Sequence, residues 1–155
     1  VDFSGTYYSA PNCELRPRGP RPDGPPILIG AFGPRMLQIT ARYANTWNTC
    51  WHGRVSSITA NRAAVEAACR AAGRDPATLE ITAGVMVACP ARDGTAQEEL
   101  NPDKTLFGSV EEVAAALREY EEAGVGHVIC WLSELNAGGL AWFADVLHAY
   151  REMAA

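Results

Sequence analysis

Two short stretches of the chain carry residue types that could hold a ligand. Gly30-Ala31-Phe32-Gly33-Pro34 follows an apolar run and opens a helical pattern. Glycines let a backbone curl and approach a ligand closely, while the free N–H groups and dipole of a helix start favour an anion. The same five residues serve equally as a tight turn between strand and helix, with glycines needed only for geometry. Further on, Asn48, His52 and Arg54 stand among Trp47, Thr49 and Trp51, at and just after the end of a second apolar run. Polar and cationic groups at the carboxyl end of a strand are where barrel enzymes build their sites. Against that, Trp47 and Trp51 fit core or rim positions and Arg54 fits a solvated surface.

Other chemistries find little support. The five cysteines (Cys13, Cys50, Cys69, Cys89, Cys130) are scattered and form no C-x-x-C pair, so they read as buried, reduced thiols. His127-x-x-Cys130 has a ligand-like spacing, but it falls inside a strand pattern with no second pair to complete a zinc site. His127 and His148 read as surface or interface residues. Glu111, Glu112, Glu119, Glu121 and Glu122 read as a solvated helix face, and no nucleophile elbow, P-loop or metal motif is present. With Lys+Arg 13 against Asp+Glu 18, a net charge of -5 and no basic block, nucleic acid is excluded as the expected partner. The longest apolar runs fall short of a membrane span, no signal-peptide pattern opens the chain, and a cytoplasmic location is expected. Val1 in place of Met reads as a mid-sequence start.

The elements that would position these residues follow from periodicity. Residues 1–26 carry Pro17, Pro20, Pro22, Pro25 and Pro26 and read as an extended, Pro-rich covering loop. Residues 27–155 read as four βα units in one domain. Residues 27–29 form the first strand, followed by a helix opening at Pro34 with Met36, Leu37, Thr40, Ala41 and Ala44 at helical spacing. Strands are expected over 46–51, 80–89 and 125–132. Helices are expected over 60–72, from the capping box Ser109-Val110-Glu111-Glu112 to Ala123, and over 140–153, the last with Phe143, Val146, Leu147 and Tyr150 inward. Residues 92–104 read as an exposed loop. The alternation predicts an α/β fold with a parallel sheet and right-handed crossovers. Periodicity leaves two closures open, a small doubly wound sheet and half of a TIM (β/α)8 barrel.

Three motifs bear on that choice. Phe3-Ser4-Gly5-Thr6-Tyr7-Tyr8 with Pro25-Pro26-Ile27-Leu28-Ile29-Gly30 comes first. Gly33-Pro34-Arg35-Met36-Leu37 through Ala41-Arg42-Tyr43-Ala44-Asn45-Thr46-Trp47-Asn48 follows, and then Gly108-Ser109-Val110-Glu111-Glu112-Val113 through Ala123-Gly124-Val125. In this order they resemble the luciferase-like monooxygenase superfamily of flavin- and F420-dependent oxidoreductases. Asn45 departs from the pattern, which usually has Asp there. The resemblance implies the carboxyl-terminal half of a TIM barrel, because nothing corresponds to the family's first four strands.

It further implies F420 or FMN as cofactor, with F420 favoured by association, since arginine-heavy sequences of this subtype are common among its users. The implied cofactor-binding residues are Gly30, Ala31, Phe32 and Gly33 at the phosphate end, with Asn48, His52 and Arg54 near the phosphate or tail. No catalytic residue is implied. Tyr7 and Tyr8 are expected to cover the barrel or an interface; Cys130 and Trp131 stand where they could line the same cleft, with simple packing the favoured reading for the cysteine. A half-barrel leaves two raw sheet edges, so a homodimer or a complementing amino-terminal half is the expected partner. The competing expectation is a non-catalytic half-barrel module that binds or supports a partner half.

Overall fold

The computed structural model describes residues 2–14, 16–17, 19–21, 24–90 and 100–153. The chain starts with two short strands, β1 (Phe3–Ser4) and β2 (Ser9–Ala10), paired antiparallel. Then come β3 (Leu28–Gly30), α1 (Pro34–Tyr43), β4 (Thr46–His52), α2 (Thr59–Ala71), β5 (Glu80–Val87), α3 (Val110–Glu122), β6 (His127–Leu132) and α4 (Ala137–Glu152). The four later strands lie side by side in chain order, β3-β4-β5-β6, all parallel. Consecutive parallel neighbours joined by helices are the arrangement of a barrel wall; a doubly wound sheet reverses its strand order.

The two sheet faces have opposite fates. Trp47 and Thr49 on β4, Ala83, Val85 and Val87 on β5 and Leu132 on β6 are buried. They pack with Leu37 and Ala41 of α1, Val65 and Cys69 of α2, Val113, Leu117 and Tyr120 of α3 and Val146 of α4. Each fully buried aliphatic contributes about 1.5–3 kcal/mol. The alternate residues face away from the helices, and of these Leu28, Ile129 and Trp131 are about half exposed or more. Period-two alternation puts one set on each face, and the described residues cover only one face.

Local chemistry accounts for the element ends. Pro34 occupies the first turn of α1, where its missing N–H costs nothing. The capping box of α3 is complete: Ser109 Oγ accepts from Glu112 N–H, and the Glu112 carboxylate accepts from Ser109 N–H. Arg74 donates to the carbonyls of Ala41, Ala44 and Thr78, and Arg62 donates to that of Ala123. Cations at helix ends are favoured by the dipole. Asn45 Oδ1 accepts from Ile27 N–H at 2.8 Å, and the Asn45 N–H donates back to Ile27 O. The contact needs an acceptor and no charge, which explains why an amide suffices where the resembling pattern has a carboxylate.

Several expectations are corrected. The last helix begins three residues before residue 140, because Asn136 Oδ1 caps it by accepting from Gly139 N–H; Gly138 and Gly139 in its first turn had disguised the start. The third and fourth strands are shorter than expected, ending at Val87 and beginning at His127. Leu147 of α4 is 37% exposed, not inward. Tyr7 and Tyr8, expected to cover the barrel or an interface, are 89% and 81% exposed and cover nothing among the described residues. Cys13 is exposed, whereas Cys69 and Cys89 are buried as expected. Part of the expected 92–104 loop lies outside the described residues. No described helix is long and apolar enough to cross a membrane.

Replacing Asn45 with alanine removes the acceptor for Ile27 N–H and should cost about 1 kcal/mol, the scale of one net hydrogen bond. Asn45→Asp keeps the acceptor and should stay within about 0.5 kcal/mol of the parent. Urea unfolding midpoints of the two variants check the pair.

Candidate functional site at the carboxyl ends of the strands

Gly30 ends β3, and Ala31, Phe32 and Gly33 turn the chain into α1. Ala31 is buried, and its carbonyl accepts a 2.9 Å hydrogen bond from Trp47 Nε1. Trp47 is fully buried, so its indole N–H requires a partner, and this one ties the loop backbone to the core. Gly33, the N-cap of α1, has φ -75 and ψ 147, a conformation open to any residue, and a Cβ placed there meets nothing within 4 Å. Backbone geometry does not demand glycine. The helix start has no side-chain cap and no acidic residue in its first turn, whereas α3 has both and α4 has a side-chain cap. The first-turn N–H groups of Arg35 and Met36 therefore make a concentration of positive potential, with open space beside Gly33.

Asn48 joins this end of the sheet by register, since Gly30 pairs with Asn48 across β3 and β4. Its side chain is on the uncovered face and donates to Thr82 Oγ1 at 2.8 Å. Beyond it the ladder slips: a bulge lies between Thr49 and His52, and Trp51 takes a φ of 68. The left-handed region is unfavourable for a bulky side chain by about 1–3 kcal/mol, and Trp51 is nonetheless 54% exposed. Bulges of this kind re-aim side chains near functional sites.

His52, expected near the cofactor, is turned into the protein. It is 5% exposed, with Nε2 2.7 Å from Thr49 Oγ1 and Nδ1 3.0 Å from Ser57 Oγ. Ser57 gives its own proton to Arg54 O. Nδ1 must therefore carry the imidazole proton and Nε2 accept from Thr49. Burial first, and then the Lys104 charge, lower the His52 pKa below its ordinary value. The imidazole is a neutral strut under the loop. Arg54 is exposed and ion-paired with Asp103, an arrangement worth little in stability.

The loop beyond β4 is held closely. Gly53 N–H donates to Asp103 O and Arg54 N–H to Pro102 O. A Cβ at Gly53 would lie 2.1 Å from Pro102 O, so the approach requires glycine. Tyr120 Oη donates to Gly53 O at 2.7 Å, and burial pushes its pKa up to about 12, keeping it a donor. The structure thus brings Gly30, Ala31, Phe32, Gly33 and Asn48 to one end of the sheet. His52 lies on the opposite face and Arg54 out on the loop.

Sequence reasoning left Met86, Ile129 and Gly84 unremarked. With Asn48, Cys50, Trp51 and Trp131 they line a cavity of about 210 Å³ on the uncovered face. Alternation within β5 and β6 was the signal that could have grouped them. A larger cavity of about 620 Å³ lies between α3, α4 and the amino end of β6, away from the carboxyl ends where βα folds do chemistry. Cys130 packs on the helix side while His127 stands on the other face, so the two cannot share a metal. No metal-binding group of histidines, cysteines and carboxylates occurs among the described residues.

The sequence profile described as luciferase-like monooxygenase matches residues 1–107. The chain belongs to the luciferase-like monooxygenase family. Among curated relatives, a phthiodiolone/phenolphthiodiolone dimycocerosates ketoreductase of Mycobacterium kansasii is 32% identical over 99 residues, 64% of this chain and 27% of the relative. Among solved structures, an F420-dependent tetrahydromethanopterin reductase from Methanopyrus kandleri superposes with a TM-score of 0.72 at 15% identity, covering 99% of this chain and 58% of that one. An F420-dependent secondary alcohol dehydrogenase in complex with an F420-acetone adduct gives 0.68 at 18%, covering 97% and 56%. The chain therefore spans little more than half of these two family structures. They establish the fold: the parallel sheet is that of the TIM-barrel luciferase-like enzymes.

His52 supplies a pH test. Its folded pKa is lowered, so the unfolded chain binds more protons in acid. The stability contributed by the neutral imidazole is complete above about pH 6.5 and is lost as pH falls from there toward the folded pKa. Thermal unfolding temperatures should drop over that window in the parent chain and drop less in His52→Gln. An equal acid-side slope in both proteins would refute the assignment.

Proposed function

We propose that this chain is the cofactor-phosphate-binding half of a luciferase-like oxidoreductase that uses F420, with FMN as the alternative. The observation that carries the reading is the uncapped start of α1 at the carboxyl end of β3, with open space at Gly33. The donor set fits an anionic group: main-chain N–H groups, a helix dipole and no carboxylate in the first turn. Gly30, Ala31, Phe32 and Gly33 would cradle the phosphate, held in shape by the Trp47 hydrogen bond to Ala31 O. Asn48 would bound the site on the strand side, and Arg54 would add long-range positive charge from its loop. His52 would act at one remove, by supporting that loop through Thr49 and Ser57. Redox chemistry would come from the bound cofactor, with this chain supplying orientation and electrostatics. The ketoreductase and F420-dependent names of the related proteins support the same class.

The uncovered sheet face supports the other half of the reading. Leu28, Ile129 and Trp131 sit where a barrel interior would be, and β3 and β6 are open edges. Four further βα units, from an amino-terminal half or a second copy, would close both edges. The non-catalytic alternative makes the same assembly and binds no cofactor.

Replacing Gly33 with aspartate separates folding from binding. Aspartate is a better N-cap than glycine by a few tenths of a kcal/mol to about 1 kcal/mol, so the unfolding temperature should hold or rise. Its carboxylate would occupy the phosphate position and repel it, weakening F420 affinity by tenfold or more. Fluorescence titrations with F420 and with FMN measure this, and unchanged affinity in Gly33→Asp would refute the phosphate site. Sedimentation of the isolated chain should show a dimer or larger species, and a strictly monomeric chain would count against the half-barrel.

A further inference from the structure

We propose that Trp51 and Trp131 form the wall that recognises an uncharged ring of a small-molecule substrate. The proposal rests on the oxidoreductase reading for its place at the carboxyl mouth of the sheet; its own support is independent of the phosphate loop. Trp51 stands at a φ of 68 on the bulge of β4, a conformation that glycine would adopt freely. Burial does not compensate for that strain, since Trp51 and Trp131 are 54% and 58% exposed. A bulky residue kept in a disfavoured conformation that the packing of this chain does not offset points to a use beyond the fold of this chain.

The geometry specifies the use. The indole rings of Trp51 and Trp131 lie 5.8 Å apart between centroids and are tilted by 42°. They touch and leave no slot between them, so together they make an angled wall. A ligand ring can stack on one face while meeting the edge of the other, the arrangements that aromatic quadrupoles favour. Below them is the cavity of about 210 Å³ lined by Cys50, Met86 and Ile129. A dry cavity of about 150 Å³ accepts benzene, so one ring fits here with room to spare.

Gly84 lets Cys50 pack closely in the floor: a Cβ there would lie 2.9 Å from Cys50 Cβ. None of the residues lining the cavity is an acid or a base of the Asp, Glu, Lys, Arg or His type. One amide N–H of Asn48 is given to Thr82, and the other polar groups of the lining are neutral. A carboxylate or ammonium on the ligand would therefore be desolvated without a charged partner, which selects an uncharged ring.

Saturation-transfer NMR of the whole chain with p-cresol, and separately with benzoate, tests this. Saturable p-cresol binding is expected, with benzoate at least tenfold weaker. Trp131→Ala and Trp51→Gly should each weaken p-cresol at least tenfold. Because glycine takes the left-handed backbone of position 51 freely, the unfolding temperature of Trp51→Gly should hold or rise, so its loss of binding cannot be ascribed to misfolding. If p-cresol fails to saturate, if benzoate binds equally, or if both variants bind like the parent, the proposal is overturned. It is overturned equally if the substitutions change only the sedimentation coefficient, which would assign the pair to an interface between chains. F420 titration of the parent chain reports on the cofactor reading by a separate signal: ring binding without F420 binding retains the wall and removes that reading, and the reverse outcome removes the wall.

Discussion

A single hydrogen bond, from the indole N–H of Trp47 to the carbonyl of Ala31, links the core of this protein to its most ligand-like loop. Trp47 is fully buried between sheet and helices, an expensive position for a donor with no partner. The partner is supplied by the turn after β3, so the packing that stabilises β4 also fixes the backbone of residues 30–33. Loops are ordinarily the mobile parts of βα folds. Here the turn inherits the rigidity of the core, and the start of α1 is held in place without any cap of its own.

The second organising feature is the asymmetry of the sheet. All four helices supply the side chains that bury one face, while the other presents Leu28, Asn48, Met86, Ile129 and Trp131 to solvent. A barrel wall likewise carries its helices on one side of the sheet only. The chain overlays 58% of one comparison structure and 56% of the other. The polar residues near the mouth divide accordingly. Thr49, His52, Ser57 and Tyr120 form a buried hydrogen-bonded support beneath the loop, and Asn48 and the two exposed tryptophans stand above it. The bulge in β4 creates that division, because one extra residue reverses the side toward which every later side chain points.

Much of the architecture was legible in the chain itself. The alternation of apolar runs with helical spacing determined an α/β order, the capping box at Ser109 determined where α3 begins, and Pro34 determined the start of α1. These are local effects, in which a residue's own conformational preference or a partner three or four positions away decides the outcome. The motifs around Gly30, Gly33 and Trp47 were sufficient for the family, and the family for the barrel. The start of α4 was missed because two glycines weaken a helix in isolation, while the Asn136 cap and packing against α3 outweigh them here.

What only the tertiary structure decided was which way individual side chains point. From its neighbours in sequence, His52 was as good a ligand group as Asn48; the bulge, invisible in composition, turned it to Thr49 and Ser57. Trp51 and Trp131 are 80 positions apart, and their meeting depends on β5 lying between β4 and β6 in register. Asn45 departs from the family pattern, and the structure shows the acceptor role toward Ile27 that an amide fills without charge. Local preference determined the elements, and long-range register determined which of their residues share a site, because side-chain direction in a strand changes with every single-residue shift in pairing.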